Sequence, residues 1–180
     1  MRTVVAYELL SLDGVAEEPS DWMSDVDDDV VANLATTTAT QDLVLLGRGT
    51  YDHWAGYWPT SDVQPFARFI NATDEHVITS RALTPAWRGS SPVHGDAVEH
   101  VSRLRSGDSG DIGVHGSLQL VRSSLAAGVV DELRLVVTGG VAGSGRRLLD
   151  QPLPPSRWRL LESRASASGA LLLHYGRTSA

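Results

Sequence analysis

The chain has 180 residues, of which 42% are hydrophobic, with 17 glycines, 8 prolines and no cysteine. This length predicts one domain over residues 1–180 with a core of its own, and it excludes a large two-domain enzyme. All 15 basic residues are arginine, and the formal net charge is −7. The absence of lysine and cysteine excludes Schiff-base chemistry, a Walker A phosphate loop, thiol nucleophiles and cysteine-ligated zinc.

Charge and the N-terminal residues also restrict the partners and the compartment. An acidic chain with scattered arginines argues against nucleic acid or an anionic membrane surface as a partner. The first apolar stretch already contains Glu8 and leads into the polar segment SLDG, so no signal peptide or membrane span is predicted. The six histidines lack metal-binding spacing. We therefore expect a cytoplasmic protein with no metal, no nucleic-acid partner and no membrane partner.

The first half of the chain predicts short strands alternating with short helices. Residues 2–10 form a run of strand length dominated by β-branched and aromatic side chains, which predicts a buried strand. After a polar loop, Ser24 is the predicted helix N-cap, with Asp27 at the third helical position. Acidic residues at 25 and 27–29 suit the positive end of that helix. The next predicted elements are a strand at 42–47, a short helix ending near Gly56 and Pro59, a helix at 63–71 and a strand at 75–80.

The second half continues the alternation and then changes character. After a stretch rich in proline and glycine at 84–95, the predicted elements are a helix at 96–105, a strand at 111–115, a helix at 116–128, a strand at 131–138, and a hairpin from 158–166 and 170–177. This order predicts an α/β domain whose mixed sheet is closed by antiparallel strands. Ligands of such sheets bind at the carboxyl ends of the strands.

Three predicted strands end in residues that suit phosphate. The three segments are Leu46-Gly47-Arg48-Gly49-Thr50, Thr79-Ser80-Arg81 and His115-Gly116-Ser117-Leu118. Glycine lets the backbone approach a ligand closely, helix N-terminal N–H groups attract anions, and arginine forks onto phosphate oxygens. Three such segments in one small domain favour a ligand with several phosphates, such as a dinucleotide. Gly143-Ser144-Gly145 does not complete a Rossmann fingerprint, because Leu148 occupies the sixth position and prolines follow.

Several motifs, in order along the whole chain, resemble those of a known family. They are SLDG at 11–14, DLVLLGRGTYDHW at 42–54, VITSRAL at 77–83, the block from Gly110 to Val137, and GSGRRLLD at 143–150. The chain resembles the dihydrofolate-reductase-like family, and within it the C-terminal reductase domain of the bacterial riboflavin-biosynthesis deaminase-reductase. The resemblance implies a three-layer fold, with a mostly parallel central sheet, helices on both faces and a C-terminal antiparallel hairpin.

The resemblance also implies a cofactor, NADPH, and a set of residues that hold it. Gly47, Arg48 and Thr50 match the element that binds the pyrophosphate, and Ser80 and Arg81 match the strand end that receives the adenosine 2′-phosphate. The segment from His115 through Gly116 and Ser117 to Leu118 matches a second phosphate-facing turn near the nicotinamide. The implied activity is hydride transfer to a small nitrogen heterocycle, similar to reduction of 5-amino-6-(5-phosphoribosylamino)uracil or dihydrofolate.

The substrate side of the site is predicted from the same resemblance. Asp13 and Gly14 match the loop that lies over nicotinamide and substrate, and Trp22 with Asp27 resembles the spacing at which folate-reducing relatives place their acid. Asp27 is therefore the candidate proton donor, and the alternative is a structural role in a capping box with Ser24, in a segment with four aspartates within five positions. Asp13 has no such capping role and ranks first for substrate contact. Trp54 is a candidate for stacking on a flat heterocycle or a residue of the core.

Other functions stay open at this point. The chain has no lysine to hold a ribose phosphate and no zinc-deaminase motif, so it represents a stand-alone reductase-like domain whose substrate has room to differ. The alternatives are a non-catalytic module that binds a nucleotide or another small molecule, and a structural role. A homodimer is expected from the resemblance and from the apolar run Leu171 to Leu173 in a terminal strand.

Overall fold

The computed structural model describes residues 1–24 and 26–178. Its strands are β1 (Val4–Leu10), β2 (Gln41–Gly47), β3 (Asp74–Ile78), β4 (Ser90–Val93), β5 (Asp111–His115), β6 (Glu132–Val137), β7 (Trp158–Ala165) and β8 (Leu171–Arg177). Its α-helices are α1 (Asp28–Thr38), α2 (Arg48–Tyr57), α3 (Phe66–Ala72), α4 (Ala97–Arg105) and α5 (Leu118–Ala126). Short 3-10 turns cover Pro19–Asp21 and Trp58–Thr60.

All eight strands form one sheet in the order β4-β3-β2-β5-β1-β6-β8-β7. Strands β1 to β6 run parallel, whereas β8 is antiparallel to β6 and β7 is antiparallel to β8. Because β1 pairs with both β5 and β6, the first strand of the chain lies inside the sheet. The predicted fold class, a mostly parallel α/β sheet with a C-terminal antiparallel hairpin, is confirmed.

The alternation of side chains along the strands builds three layers. Leu43 and Leu45 of β2 pack with Val101 of α4 and Val121 of α5 on one face. Val44 and Leu46 pack on the opposite face, with α2 and α3. Helix α1 covers β1, β6 and β8 on that second face, through Val30. No helix in the described part of the chain is long and apolar enough to cross a membrane.

Two local predictions are wrong. Strand β4 forms within the segment 84–95, where no strand is expected, because β3 offers it a partner and because an edge strand tolerates Pro92. Helix α1 begins at Asp28, and Asp27 rather than Ser24 is its N-cap, since the Asp27 carboxylate accepts the Val30 N–H at 2.9 Å. Asp25 of the predicted acidic helix start lies outside the described residues.

Candidate functional site

The carboxyl ends of the parallel strands lie along one edge of the sheet. At this edge a crevice is expected between two neighbouring strands whose following helices pack on opposite faces of the sheet. Strands β2 and β5 are neighbours, but the chain leaves β2 for α2 on one face and leaves β5 for α5 on the other face. This is the topological switch point at which open α/β sheets bind ligands. The crevice between the carboxyl ends of β2 and β5 is therefore the candidate site.

The N-termini of α2 and α5 border this crevice, and neither carries a side-chain cap. The residues before them, Gly47 and Ser117, make no capping hydrogen bond to the first turn. By contrast, Asp27 and Asp96 cap α1 and α4. The first-turn N–H groups of α2 and α5, at the positive ends of two helix dipoles, are thus left for an acceptor from outside the helices, such as a phosphate oxygen.

Hydrogen bonds bring the three predicted phosphate-facing segments together. The Gly47 N–H donates to the Ser117 hydroxyl oxygen at 3.0 Å, which joins the turn after β2 to the turn after β5. The Arg48 guanidinium donates to the Ala82 carbonyl at 2.8 Å, which joins α2 to the segment after β3. The same guanidinium pairs with Asp52 at 2.6 Å. Segments 46–50 and 115–118 are therefore in contact, and the residue that follows segment 79–81 contacts the start of α2.

Two glycines give this part of the crevice its shape. A Cβ atom on Gly47 would collide with the Ser117 hydroxyl, so the close approach of the two turns requires glycine there. Gly116 has a φ of +64°, in the left-handed region, and the space beside it is limited by Trp54 at 3.4 Å from an ideal Cβ. A backbone cradle with uncapped amides on both sides fits the phosphates of a dinucleotide.

The remaining predicted phosphate ligands lie at the rim of the crevice. Ser80 and Arg81 are exposed after β3, and the Arg81 N–H donates to the Thr79 hydroxyl at 3.1 Å. The Arg81 guanidinium is in no ion pair with the residues that the structure describes. Thr50 lies half-buried in the first turn of α2. An unengaged guanidinium beside an exposed serine is suited to a terminal phosphate.

His115 and Leu118 differ from the other predicted cofactor ligands, because their side chains belong to the core. Leu118 packs between the sheet and α4. The His115 ring is buried against Phe66 and Phe69, and its Nε2 lies 2.7 Å from the Gln41 amide oxygen. Burial lowers the pKa of His115 to about 4, so the ring is neutral at pH 7. These two residues have only their backbone to offer a ligand at the crevice.

Asp13 has a structural task that the sequence did not indicate. Its carboxylate accepts hydrogen bonds from the Ser11 hydroxyl at 2.8 Å and from the N–H groups of Ala142 and Gly143 at 3.0 and 3.1 Å. The Ser11 bond and these amides lower the pKa of Asp13. The premise that this loop aspartate lacks a structural role is therefore wrong, because Asp13 ties the loop after β1 to the loop after β6.

Asp27 is also fully engaged. One carboxylate oxygen accepts the Val30 N–H, and the other accepts the Ser168 N–H at 2.6 Å. These two backbone hydrogen bonds hold the pKa of Asp27 far below its ordinary value. The geometry matches a helix cap that also binds the turn between β7 and β8, and a carboxyl with so low a pKa is a poor proton donor.

Of the remaining predicted substrate residues, Trp22 and Gly14 lie close to the ends of β1 and β6, whereas Trp54 lies on α2. Trp22 lines a small cavity of about 40 Å³ together with Thr138 and Gly140. Its indole N–H donates to the Glu17 carbonyl at 2.9 Å. Gly14, with a φ of +82°, turns the loop after β1. Trp54 packs edge-on against Phe66 and Trp58, and is half-buried beside Gly116.

The sequence prediction missed two buried carboxyl groups in the sheet. Glu8 on β1 and Glu75 on β3 are 2% and 0% exposed, and each has one oxygen without a hydrogen-bond partner. Burial raises the pKa of Glu8 to about 8 and that of Glu75 to about 7. The available signal for Glu8 was a single acidic residue inside an apolar strand, whereas Glu75 follows Asp74 at the start of its strand and gives no such signal. Within residues 1–24 and 26–178, no three histidine or acidic side chains are grouped as metal ligands.

The sheet order, the three layers and the crevice at the switch point define a dihydrofolate-reductase-like α/β domain. The sequence model of the RibD C-terminal domain family matches residues 2–172, so the chain belongs to this reductase-type family. Among curated proteins it is similar to two uncharacterized proteins of Bacillus subtilis (strain 168). YwjB is 26% identical over 98% of both chains, and YyaP is 23% identical over 74% of this chain and 73% of its own.

Solved structures share the fold at low sequence identity. A Shewanella sp. PV-4 protein named for riboflavin biosynthesis has a TM-score of 0.75 at 17% identity, over 98% of this chain and 99% of its own. Dihydrofolate reductase from Enterococcus faecalis, in complex with NADP(H), has a TM-score of 0.68 at 14% identity, over 98% and 97%. The Thermotoga maritima deaminase/5-amino-6-(5-phosphoribosylamino)uracil reductase has a TM-score of 0.68 at 16% identity, over 98% of this chain but 57% of its own.

Proposed function

We propose that this chain is an NADPH-dependent reductase of a small nitrogen heterocycle, related in substrate to 5-amino-6-(5-phosphoribosylamino)uracil or dihydrofolate. The observation that carries the proposal is the pair of uncapped helix N-termini, α2 and α5, joined across the switch point by the Gly47–Ser117 hydrogen bond. Two such termini suit the two phosphates of a dinucleotide linkage. The reductase-type family and the NADP(H) complex of a dihydrofolate reductase of the same fold agree with this assignment.

In this proposal each segment around the crevice has a part in holding the cofactor. The first turns of α2, with Arg48 and Thr50, and of α5, after Gly116 and Ser117, hold the pyrophosphate. Arg81 and Ser80 receive the 2′-phosphate and so select NADPH over NADH. When bound, the reduced nicotinamide supplies a hydride to an electrophilic carbon of the substrate.

The substrate lies at the ends of β1 and β6, against Trp22 and Gly14. Asp13 and Asp27 have structural roles there, because all four of their carboxylate oxygens accept hydrogen bonds within the chain. Asp13 holds the two loops over the substrate, and Asp27 holds the start of α1. The proton that accompanies the hydride then comes from water at the substrate nitrogen.

The first experiment measures binding of NADPH and NADH by isothermal titration, followed by NADPH oxidation with each candidate substrate at 340 nm. We expect NADPH to bind more tightly than NADH and to be consumed with one heterocycle of this class. Equal binding of the two cofactors would contradict the assigned 2′-phosphate site. The absence of any binding would contradict the reductase proposal as a whole.

A second candidate is a non-catalytic module of the same fold that binds a nucleotide or another small molecule. The observation in its favour is that both candidate acids, Asp13 and Asp27, are occupied by backbone N–H groups. This candidate predicts cofactor binding without turnover on any heterocycle tested.

We also propose that the chain forms a homodimer. The expected apolar edge at Leu171 to Leu173 is wrong, because β8 pairs on both sides, with β6 and with β7. The edge is strand β7, whose eight side chains are almost all exposed, including Leu160 and Leu161 at 47% and 45%. Such an edge attracts another strand unless it is covered. Sedimentation at micromolar concentration is expected to give a dimer, and Leu161→Glu is expected to shift it toward monomer. A wild-type monomer under these conditions would refute the proposal.

A further inference from the structure

Arg122 is a buried arginine in the second turn of α5. It is 9% exposed, and its neighbour Val121 belongs to the apolar core beneath the helix. Its guanidinium forms an ion pair with Asp150 at 2.8 Å. Burying a charge is costly, and apolar side chains often replace such a pair without loss of stability. Packing therefore does not explain an arginine here, and its hydrogen bonds have to.

The guanidinium of Arg122 holds a short segment of the loop after β6. Its Nε–H donates to the Leu148 carbonyl at 2.9 Å, and a terminal N–H donates to the Arg147 carbonyl. Together with Asp150, these acceptors lie within four consecutive residues. A planar guanidinium suits them, because its donors point in several fixed directions, whereas a lysine ammonium is a single point charge.

The segment that Arg122 holds pairs with the loop after β1. The two form a short ribbon of residues 14–16 and 146–148, which lies beyond the carboxyl ends of β1 and β6. Its backbone hydrogen bonds run from the Leu148 N–H to the Gly14 carbonyl at 3.2 Å and from the Ala16 N–H to the Arg146 carbonyl at 3.0 Å. An antiparallel bridge lies between them. Arg122 thus fastens the ribbon to α5.

We infer that Arg122 is a positioning residue for the substrate, because it fixes the ribbon to the helix whose first turn borders the cofactor crevice. This inference rests on the proposed function, which places the substrate against Gly14 and the cofactor phosphates at the start of α5. One helix then carries the phosphate-facing amides on its first turn and the ribbon on its second. The spacing between cofactor and substrate loop is set by that helix, and Arg122 acts through the ribbon.

Loss of the guanidinium is expected to affect the substrate rather than the cofactor. The start of α5 stays in place, since Leu118 and Val121 pack in the core. The ribbon, in contrast, loses its hydrogen bonds to α5 and can move relative to the crevice. A looser loop weakens binding of the ground state and of the transition state alike, which raises KM and leaves kcat unchanged.

Arg2 provides a matched control. It is likewise 9% exposed, forms an ion pair with Asp42, and donates from Nε to the Gly110 carbonyl at 2.6 Å. It precedes β1 and so lies at the amino ends of the parallel strands, away from the crevice. Arg2→Gln therefore removes a buried guanidinium of the same kind without altering the ribbon.

The first measurement is amide hydrogen exchange by NMR, without cofactor. Relative to the amide of Ala6 in the middle of β1, we expect Arg122→Gln to exchange the amides of Ala16 and Leu148 about tenfold faster than the wild type. Arg2→Gln is expected to leave this ratio unchanged. A ratio in Arg122→Gln equal to that of the wild type overturns the anchoring role.

A second variant covers the case in which Arg122→Gln does not fold. Arg122→Lys keeps the positive charge but lacks the fork of donors, and we expect roughly threefold faster exchange of the ribbon amides relative to Ala6. An unchanged ratio in this variant overturns the anchoring role in the same way.

The second measurement combines the NADPH dissociation constant with steady-state kinetics on 5-amino-6-(5-phosphoribosylamino)uracil and on dihydrofolate. We expect Arg122→Gln to raise KM for the reduced heterocycle about tenfold, with kcat and the NADPH dissociation constant within about twofold of the wild type. Arg2→Gln is expected to change none of the three. A fall in kcat or in NADPH affinity with KM unchanged would overturn the substrate-positioning role.

The two measurements separate the inference from the proposed function. If the wild type reduces one of these heterocycles and Arg122→Gln has the same KM, the positioning role is overturned while the reductase proposal stands. A wild-type chain that binds neither NADPH nor NADH overturns the reductase proposal, and the substrate part of the inference fails with it. In that outcome the exchange of Ala16 and Leu148 still decides whether Arg122 holds the ribbon.

Discussion

Helices α1 and α4 begin on aspartate side chains, whereas α2 and α5 begin on a glycine and on a serine whose hydroxyl accepts a hydrogen bond from the neighbouring turn. In α1 and α4 the negative charge at the positive helix end is built into the chain. In α2 and α5 it is missing, and these two helix starts face each other across the switch point. Helix α3 also starts without a side-chain cap, at Pro65, so the position of α2 and α5 at the switch point, together with their missing caps, marks these two helix starts for a ligand.

The largest expected loss of NADPH affinity comes from distorting one of the two uncapped helix N-termini, those of α2 and α5. Gly116→Val puts a β-branched residue at a φ of +64° beside Trp54, and we expect NADPH affinity to fall about a hundredfold. Gly169→Val is the control, because Gly169 has a φ of +89° with free space around it, in the turn between β7 and β8. Titration calorimetry on both folded variants decides the matter. Normal NADPH binding by Gly116→Val would remove the α5 turn from the site.

The next largest effect is expected from the guanidinium at the rim of the crevice. Arg81→Ala removes a charge-assisted contact with the 2′-phosphate, so NADPH affinity is expected to fall about ten- to a hundredfold while NADH affinity barely changes. Arg88→Ala serves as the control. It removes an exposed arginine that precedes β4 and so lies at the amino ends of the parallel strands, away from the proposed site at their carboxyl ends. Equal weakening of both cofactors by Arg81→Ala would show that Arg81 does not read the 2′-phosphate.

The smallest effect on activity is expected at the capped helices. Asp27→Asn and Asp96→Asn each remove a negative charge from a helix N-terminus, and we expect both to lower the melting temperature and to leave kcat intact. A fall in kcat for Asp27→Asn alone, with loss of one limb of the pH profile, would restore Asp27 as the proton donor.

The stability effect of Asp27 also has a defined pH dependence. Because the folded pKa of Asp27 is lowered, its contribution to stability is fully present above the unfolded pKa of about 3.9 and is lost as the pH falls toward the folded value. Thermal unfolding from pH 7 to pH 2.5 is therefore expected to show a smaller acid-induced loss of stability in Asp27→Asn than in the wild type.

Much of the fold follows from the sequence because the strands of a parallel sheet are short apolar runs separated by helices. Strands such as 111–115 are predicted at their observed bounds for this reason. Strand β4 is different, since Ser90-Ser91-Pro92-Val93 carries no apolar run and becomes a strand only because β3 offers a free edge. Such tertiary pairing leaves no local signal.

The candidate site, like the fold, is predictable from the sequence only in part. The glycines and arginines at the strand ends are visible in the sequence, and the structure brings them together. The tasks of Asp13 and Asp27 are not visible, because their partners lie about 130 and 140 residues further along the chain, at Ala142, Gly143 and Ser168. A carboxylate bound by distant backbone amides and one aimed at a substrate look alike in a sequence.

The central place of β1 in the sheet sets the timing of folding during synthesis. Strand β1 is made before its partners β5 and β6, which pair Val4 with Ile112 and Val5 with Glu132. More than a hundred residues must therefore be made before this apolar strand can be covered, and such distant contacts form slowly. In water the Glu8 carboxyl ionises, which puts one charge in the middle of an aggregation-prone segment. A charge at Glu8 in the unfolded chain is therefore expected to lower the tendency of this apolar strand to aggregate before β5 and β6 are available to cover it.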